Sequence, residues 1–157
     1  MLKKPITAAG SQYANCLYFS SGALARKTEQ LATRAWRPSG LTPSLAYLLL
    51  LVLDRPQAYP TLLVRHTLLS PSTITRLLKK LEAKGLVKRN YYHKLTIVYA
   101  TKEAFDLQPT LWKCQEAFLR LCRQTISRQE GDQLAATMNQ TTDKLMISIN
   151  KRKKHLS

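Results

Sequence analysis

Ser70-Pro71-Ser72-Thr73-Ile74-Thr75-Arg76-Leu77-Leu78-Lys79-Lys80-Leu81-Glu82-Ala83-Lys84-Gly85 reads as one helix with two unlike faces. Ser70 suits an N-cap, because its hydroxyl can accept from an orphan N–H one turn in. Pro71 follows at the first helical position, where a missing N–H removes no bond. Ile74, Leu77, Leu78 and Leu81 recur at i, i+3, i+4, i+7 and make one buried stripe. Gly85 stands where a left-handed residue ends a helix. The other face is left with Ser72, Thr73, Thr75, Arg76, Lys79 and Lys80. Short hydroxyls on the first turn and long cations further on suit a DNA major groove, where small groups approach base edges and charges meet phosphates. A plain solvated amphipathic helix is the alternative, and the neighbouring segments weigh against it.

Working outward, residues 60–69 after Tyr59 read as a short helix joined tightly to Ser70. The pair makes a helix-turn-helix lacking the usual turn glycine. After Gly85 the period changes. Leu86–Tyr91 and Leu95–Ala100 are rich in β-branched and aromatic residues and flank Tyr92-His93-Lys94, which predicts a hairpin. The order is that of a winged helix. Between Thr61 and Lys94 the cations are Arg65, Arg76, Lys79, Lys80, Lys84, Lys88, Arg89 and Lys94, against a single acid, Glu82.

Gly40-Leu41-Thr42-Pro43 leading into a leucine-rich helix, followed by the run Leu69 to Arg89, resembles the MarR family of bacterial transcription regulators. The resemblance spans about Cys16 to Asn150. It implies a homodimer in which the terminal helices interlock and two recognition helices enter successive major grooves. Family members carry a longer wing, with an aspartate and an arginine near its tip for the minor groove. This chain has only Asn90 to Lys94 there, with His93 and Lys94 as substitutes. The expected DNA contacts are Ser70, Ser72, Thr73, Thr75, Arg76, Lys79, Lys80, Lys88, Arg89, His93 and Lys94. Ser72, Thr73 and Thr75 would approach bases, Arg76 a guanine, and Lys79, Lys80, Lys88 and Arg89 phosphates.

The whole chain agrees with this. Its 157 residues suit one domain with a real core, and 25 Lys and Arg against 9 Asp and Glu give a formal charge of +16. That balance points to a polyanionic partner. No apolar run approaches the roughly 18 residues of a membrane span, and Met1–Pro5 is followed by no signal-peptide core. Three widely spaced cysteines suit a reducing, cytoplasmic setting, and the resemblance implies a bacterial, nucleoid-associated one.

Five segments follow: an arm over 1–10, N-terminal helices over 11–58, the winged helix-turn-helix over 59–101, C-terminal helices over 102–150 and a basic tail over 151–157. The first helix should run from Gln12 to Trp36, with one stripe through Tyr18, Gly22, Ala25, Glu29 and Ala32 and another through Leu17, Leu24, Leu31 and Ala35. Thr42-Pro43 starts a second helix to Leu53, apolar nearly all round and so central. Thr101 opens a long helical stretch in which Pro109 marks either a kink or the true start. Ser127-Arg128-Gln129-Glu130 is a capping box opening a last helix to about Asn150. Its stripe of Leu134, Met138, Thr141, Leu145 and Ile149 exceeds what the monomer core needs. The tail Lys151–Lys154 is either a solvated end or a contact to flanking phosphates.

No phosphate loop, nucleophile elbow, paired carboxylates or metal-ligand spacing is visible, so no catalytic, metal or cofactor site is expected. His66, His93 and His155 are scattered. Trp36 and Trp112 read as core or interface anchors. Cys16, near a helix start, is either an ordinary buried thiol or a redox sensor. The organic-hydroperoxide sensors of the resembled family carry a reactive cysteine nearby, ahead of a serine pair like Ser20-Ser21. Cys114 and Cys122 lie eight apart on one helix, about 12 Å of rise, too far to bond within it. Tyr18, Trp36, Tyr47 and His66 could line an effector pocket for a small aromatic molecule, or simply pack. The expected activity is an effector- or oxidant-released repressor on an inverted repeat. A sequence-tolerant DNA- or RNA-binding protein is the alternative.

Overall fold

The computed structural model describes residues 7–93 and 95–154, the last five by backbone alone. Lys94, residues 1–6 of the arm, and residues 155–157 with His155 lie outside the described residues. Six helices and one hairpin follow in order: α1 Leu17–Trp36, α2 Pro43–Leu53, α3 Pro60–Thr67, α4 Pro71–Ala83, β1 Val87–Tyr92, β2 Leu95–Ala100, α5 Lys102–Arg123 and α6 Arg128–Lys154. The result is mainly α with a small β-hairpin wing: a winged helix-turn-helix preceded and followed by further helices. Contacts divide the chain into two units, Met1–Phe118 and Leu119–Ser157.

In the first unit, α2 is the centre. Leu45, Ala46, Leu48, Leu49, Val52 and Leu53 are all buried, as its all-round apolar sequence predicts. Leu63 of α3, the Ile74–Leu77–Leu78–Leu81 stripe of α4, and Val87 and Val98 of the hairpin close on it. Only the last third of α1 joins them, through Ala32 and Trp36. The first part of α5 contributes Ala104, Leu111 and Cys114. Cys114 is thus a small core residue, and all three thiols are free.

The structure corrects several details. The first helix begins at Leu17, not Gln12, and Ala8–Gly10 form a 3-10 turn capped by Thr7 inside what reads as a loose arm. Thr42 is the N-cap of α2, but its side chain makes no capping bond. Pro109 is neither a start nor preceded by extended chain: α5 runs through it from Lys102. Thr101 opens that helix, its hydroxyl accepting from Ala104 N–H at 3.3 Å. The proline withholds one bond from the Phe105 carbonyl, on an exposed position that water can serve. Trp112 is half exposed, not a core anchor of the chain.

In the second unit α6 opens on the expected capping box. Glu130 N–H donates to Ser127 Oγ at 3.2 Å, and Ser127 N–H to Glu130 Oε2 at 2.7 Å. The helix reaches Lys154, four residues past the expected end, and none of its described side chains is buried.

Candidate nucleic-acid interface

The second helix of the helix-turn-helix is α4. Ser70 lies in extended backbone and its Oγ accepts from Thr73 N–H at 3.2 Å, so the cap read from sequence is made. The same Oγ lies 3.0 Å from Ser72 Oγ and 2.8 Å from Thr73 Oγ1, which gathers three hydroxyls at the helix N-terminus. Thr75 differs. Its hydroxyl donates to Pro71 C=O at 2.9 Å, so it keeps acceptor lone pairs and a methyl for a partner. A group of that kind meets a base amine or a thymine methyl better than a guanine acceptor.

Arg76, Lys79 and Lys80 are exposed on the face opposite the buried leucines, and none is ion-paired among the described residues. Lys88 on β1 is also exposed, with Glu103 within electrostatic reach. The Glu103 carboxyl is held low first by its own backbone N–H and then by the Thr101 hydroxyl, with Lys88 a lesser cause. Arg89 departs from expectation. Its side chain does not stand free for phosphate: Nε donates to Glu82 Oε2 at 3.0 Å and Nη2 reaches the same oxygen. The hydrogen bond holds the Glu82 carboxyl below the usual range and raises the guanidinium.

The turn before α4 is made without glycine. Leu68 takes the left-handed conformation at φ 58°, as Gly40 and Gly85 do at 68° and 71°. The hairpin pairs Val87 with Ala100 through Tyr92 with Leu95, and His93 follows β1 at the tip. His93 is exposed at φ 52°. Sequence reading missed two features of the wing. Ala58 bridges Val98 through bonds of 3.0 and 2.8 Å, a single extra rung too short for any periodicity to reveal. Tyr91 and Tyr92 are exposed beside the tip, and two adjacent aromatics flanking a short hairpin loop were the available signal.

The candidate effector residues do not assemble in one chain. Trp36 and Tyr47 meet edge to face, centroids 4.9 Å apart. Trp36 Nε1 is buried with no hydrogen-bond partner among the described residues. Tyr18 lies at the other end of α1, about 27 Å of helical rise away, and His66 is exposed on α3. Tyr18 instead meets Phe19 edge to face, centroids 5.2 Å apart, and Phe19 lines a groove of about 630 Å³ with Tyr13, Ala23, Leu24, Arg26 and Lys27 among others. Cys16 is the half-buried N-cap residue of α1. The serine pair beyond it bonds to backbone rather than to the thiol, Ser20 Oγ to Ala14 C=O at 3.0 Å and Ser21 Oγ to Tyr18 C=O at 3.3 Å. Among the described residues no three His, Cys, Asp or Glu side chains gather as a metal site, and no helix is long and apolar enough to cross a membrane.

Residues 39–92 match the family model described as the MarR family, so the resemblance read from residues 40–43 and 69–89 stands. The fold is that of MarR winged-helix regulators. AbfR of Staphylococcus epidermidis is similar over 86% of this chain and 92% of its own, with 25% identity and a TM-score of 0.66. A cysteine-to-serine mutant of MarR from E. coli, complexed with operator DNA, is similar over 83% and 98%, at 14% identity and a TM-score of 0.71. The organohalide-sensing RdhR-CbdbA1625 regulator in its 2,4-dichlorophenol-bound form covers 91% and 87%, at 16% and 0.71. No curated protein matches the sequence.

Proposed function

We propose, from the premise that residues 39–92 carry a MarR-family winged helix, that this chain is a homodimeric transcription repressor binding an inverted-repeat operator. The observation that carries the reading is the division of α4. Its apolar stripe is buried while Arg76, Lys79 and Lys80 stand on the opposite face with no ion pair among the described residues, behind a capped cluster of hydroxyls. Two such helices, one per protomer, would enter successive major grooves about one helical turn apart. Arg76 reads a purine, most naturally guanine through O6 and N7. Thr75 supplies a methyl or an acceptor, and Ser72 and Thr73 a donor near the first bases. Lys79, Lys80 and Lys88 meet phosphates.

A dimer is supported by the apolar side chains that the chain leaves uncovered on α6 and on the first turns of α1. Release of DNA follows a change in spacing between the two recognition helices, driven by a small aromatic effector or by oxidation of Cys16. Trp36 and Tyr47 are the part of an effector wall that one chain assembles by itself.

The test is selection of duplexes from a random library, followed by affinity for the enriched and random sequences at one fixed salt concentration. An enriched inverted repeat bound well above random DNA supports the reading. A ratio near one gives the cationic face to the sequence-tolerant alternative. With an enriched duplex in hand, Arg76→Ala costs about 1–3 kcal/mol and relaxes the purine preference, whereas Lys88→Ala weakens all sequences alike.

A further inference from the structure

Residues 84–86 alone link the recognition helix to the wing, and Gly85 among them is left-handed at φ 71°. Such a joint does not by itself set the angle between two elements. One tie holds the joint to the wing's exit, and another spans it. Thr101, at the wing's exit, donates its hydroxyl to Gly85 C=O at 2.7 Å, and its N–H reaches Leu86 C=O at 3.2 Å. On the other tie, Arg89 of β1 places Nε and Nη2 on Glu82 Oε2, in the last turn of α4. The Arg89 side chain is 14% exposed and that of Glu82 37%. Arg89 Cζ also lies 5.9 Å from the Tyr91 ring centroid, close to the hairpin tip.

Resting on the DNA-binding reading above, we infer that the Glu82–Arg89 pair is a positioning element: it fixes the wing on the recognition helix so that both meet a duplex as one body. Glu82 is the only acid between Thr61 and Lys94. By charge alone, removing it should strengthen binding to a polyanion. A positioning role predicts the opposite sign. It also predicts that Arg89 cannot be replaced by lysine, whose ammonium is a single point charge rather than a planar fork.

The experiment uses the full-length protein and its Glu82→Gln, Arg89→Lys and Arg89→Ala variants, with the charge swap Glu82→Arg plus Arg89→Glu. The probes are a duplex enriched by the wild type and a random-sequence duplex of equal length. Glu82→Gln and Arg89→Lys each weaken binding about tenfold, a size usual for contacting pairs, without changing the salt slope, and the swap recovers most of the loss. Amide exchange across Val87–Tyr92 quickens in both variants without DNA. Two results overturn the inference. One is equal or tighter binding by Glu82→Gln, with Arg89→Ala lowering the salt slope by about one, which makes Arg89 a phosphate contact. The other is unaltered exchange in β1. If the wild type enriches no duplex, the repressor reading fails by itself. The sign on random DNA and the exchange rates still decide the role of the pair.

Discussion

The stripe of α4 and the stripe of α6 are written in the same alphabet and meet opposite fates. Ile74, Leu77, Leu78 and Leu81 are buried in their own chain. Leu134, Met138, Leu145 and Ile149 recur at similar spacing and stay exposed, Leu145 at 50% and Ile149 at 57%. Periodicity therefore states which side of a helix is apolar and says nothing about what covers it. Within residues 39–101, the covering elements are neighbours in sequence and the answer is local. For α6 the described chain supplies none, and a second copy is the proposed cover.

The largest effect that would test this contrast lies in the winged helix. Leu78→Ala should cost about 2–5 kcal/mol, because its side chain is almost fully enclosed and its truncation removes buried apolar atoms and leaves a cavity. Denaturant midpoints should fall by the same amount at low and high protein concentration. A concentration-dependent loss would place the leucine in an interface after all.

Next comes Met138→Glu combined with Leu145→Glu. Charges on an interface core should weaken dimerisation by about 2–3 kcal/mol, leaving the winged helix folded. Sedimentation over a dilution series reads the shift. If the variant dimerises like the wild type, the stripe of α6 is not the contact, and the comparison with α4 loses its meaning.

How much of the molecule its sequence discloses follows from the same contrast. The α4 cap, its stripe, the left-handed Gly85, the hairpin and the capping box at Ser127 are legible because each is set by residues within a few positions of one another. Arg89 reads in sequence as a phosphate ligand, since its partner Glu82 lies seven residues away across a change of structure. The Ala58–Val98 bridge joins residues forty apart and leaves no periodic trace. Tyr18 and Trp36 belong together by chemistry alone, and the length of α1 separates them.

The two serine caps sharpen the comparison at smaller scale. Ser70 caps a helix that tertiary packing also holds, whereas Ser127 caps one with no buried side chain among those described. Ser127→Ala should loosen the first turn of α6 by about 1 kcal/mol, read as faster exchange of amides 129–132. Acid should do the same. Bonding to Ser127 N–H holds the Glu130 carboxyl below its usual range. A carboxylate lowered in the folded state contributes stability that is complete above its unfolded pKa and disappears as pH falls through the folded one. Protection of this turn should therefore be flat through neutral pH and fall only in acid. In Ser127→Ala that acid-dependent component should shrink only in part, because the Ser127 hydroxyl is the lesser cause of the lowering and alanine keeps the backbone N–H.

The smallest effect concerns the turn between α3 and α4. Besides Gly40, Gly85 and His93 at the wing tip, Leu68 adopts left-handed backbone. A leucine there carries about 1–2 kcal/mol of steric strain that glycine lacks. Glycine in turn adds about 0.5–1 kcal/mol of disorder to the unfolded chain. Leu68 is 65% exposed, so little burial is lost with it. Leu68→Gly should accordingly stabilise the protein by about 0.5 kcal/mol, the difference between those two effects. Leu68→Asn should do slightly better, because asparagine tolerates this conformation without the entropic loss. Thermal unfolding of both variants measures this, against the wild type at two concentrations. Should both lose stability only where the protein is dimeric, Leu68 would be covered by the partner, and this turn would belong with α6 rather than with the self-sufficient core.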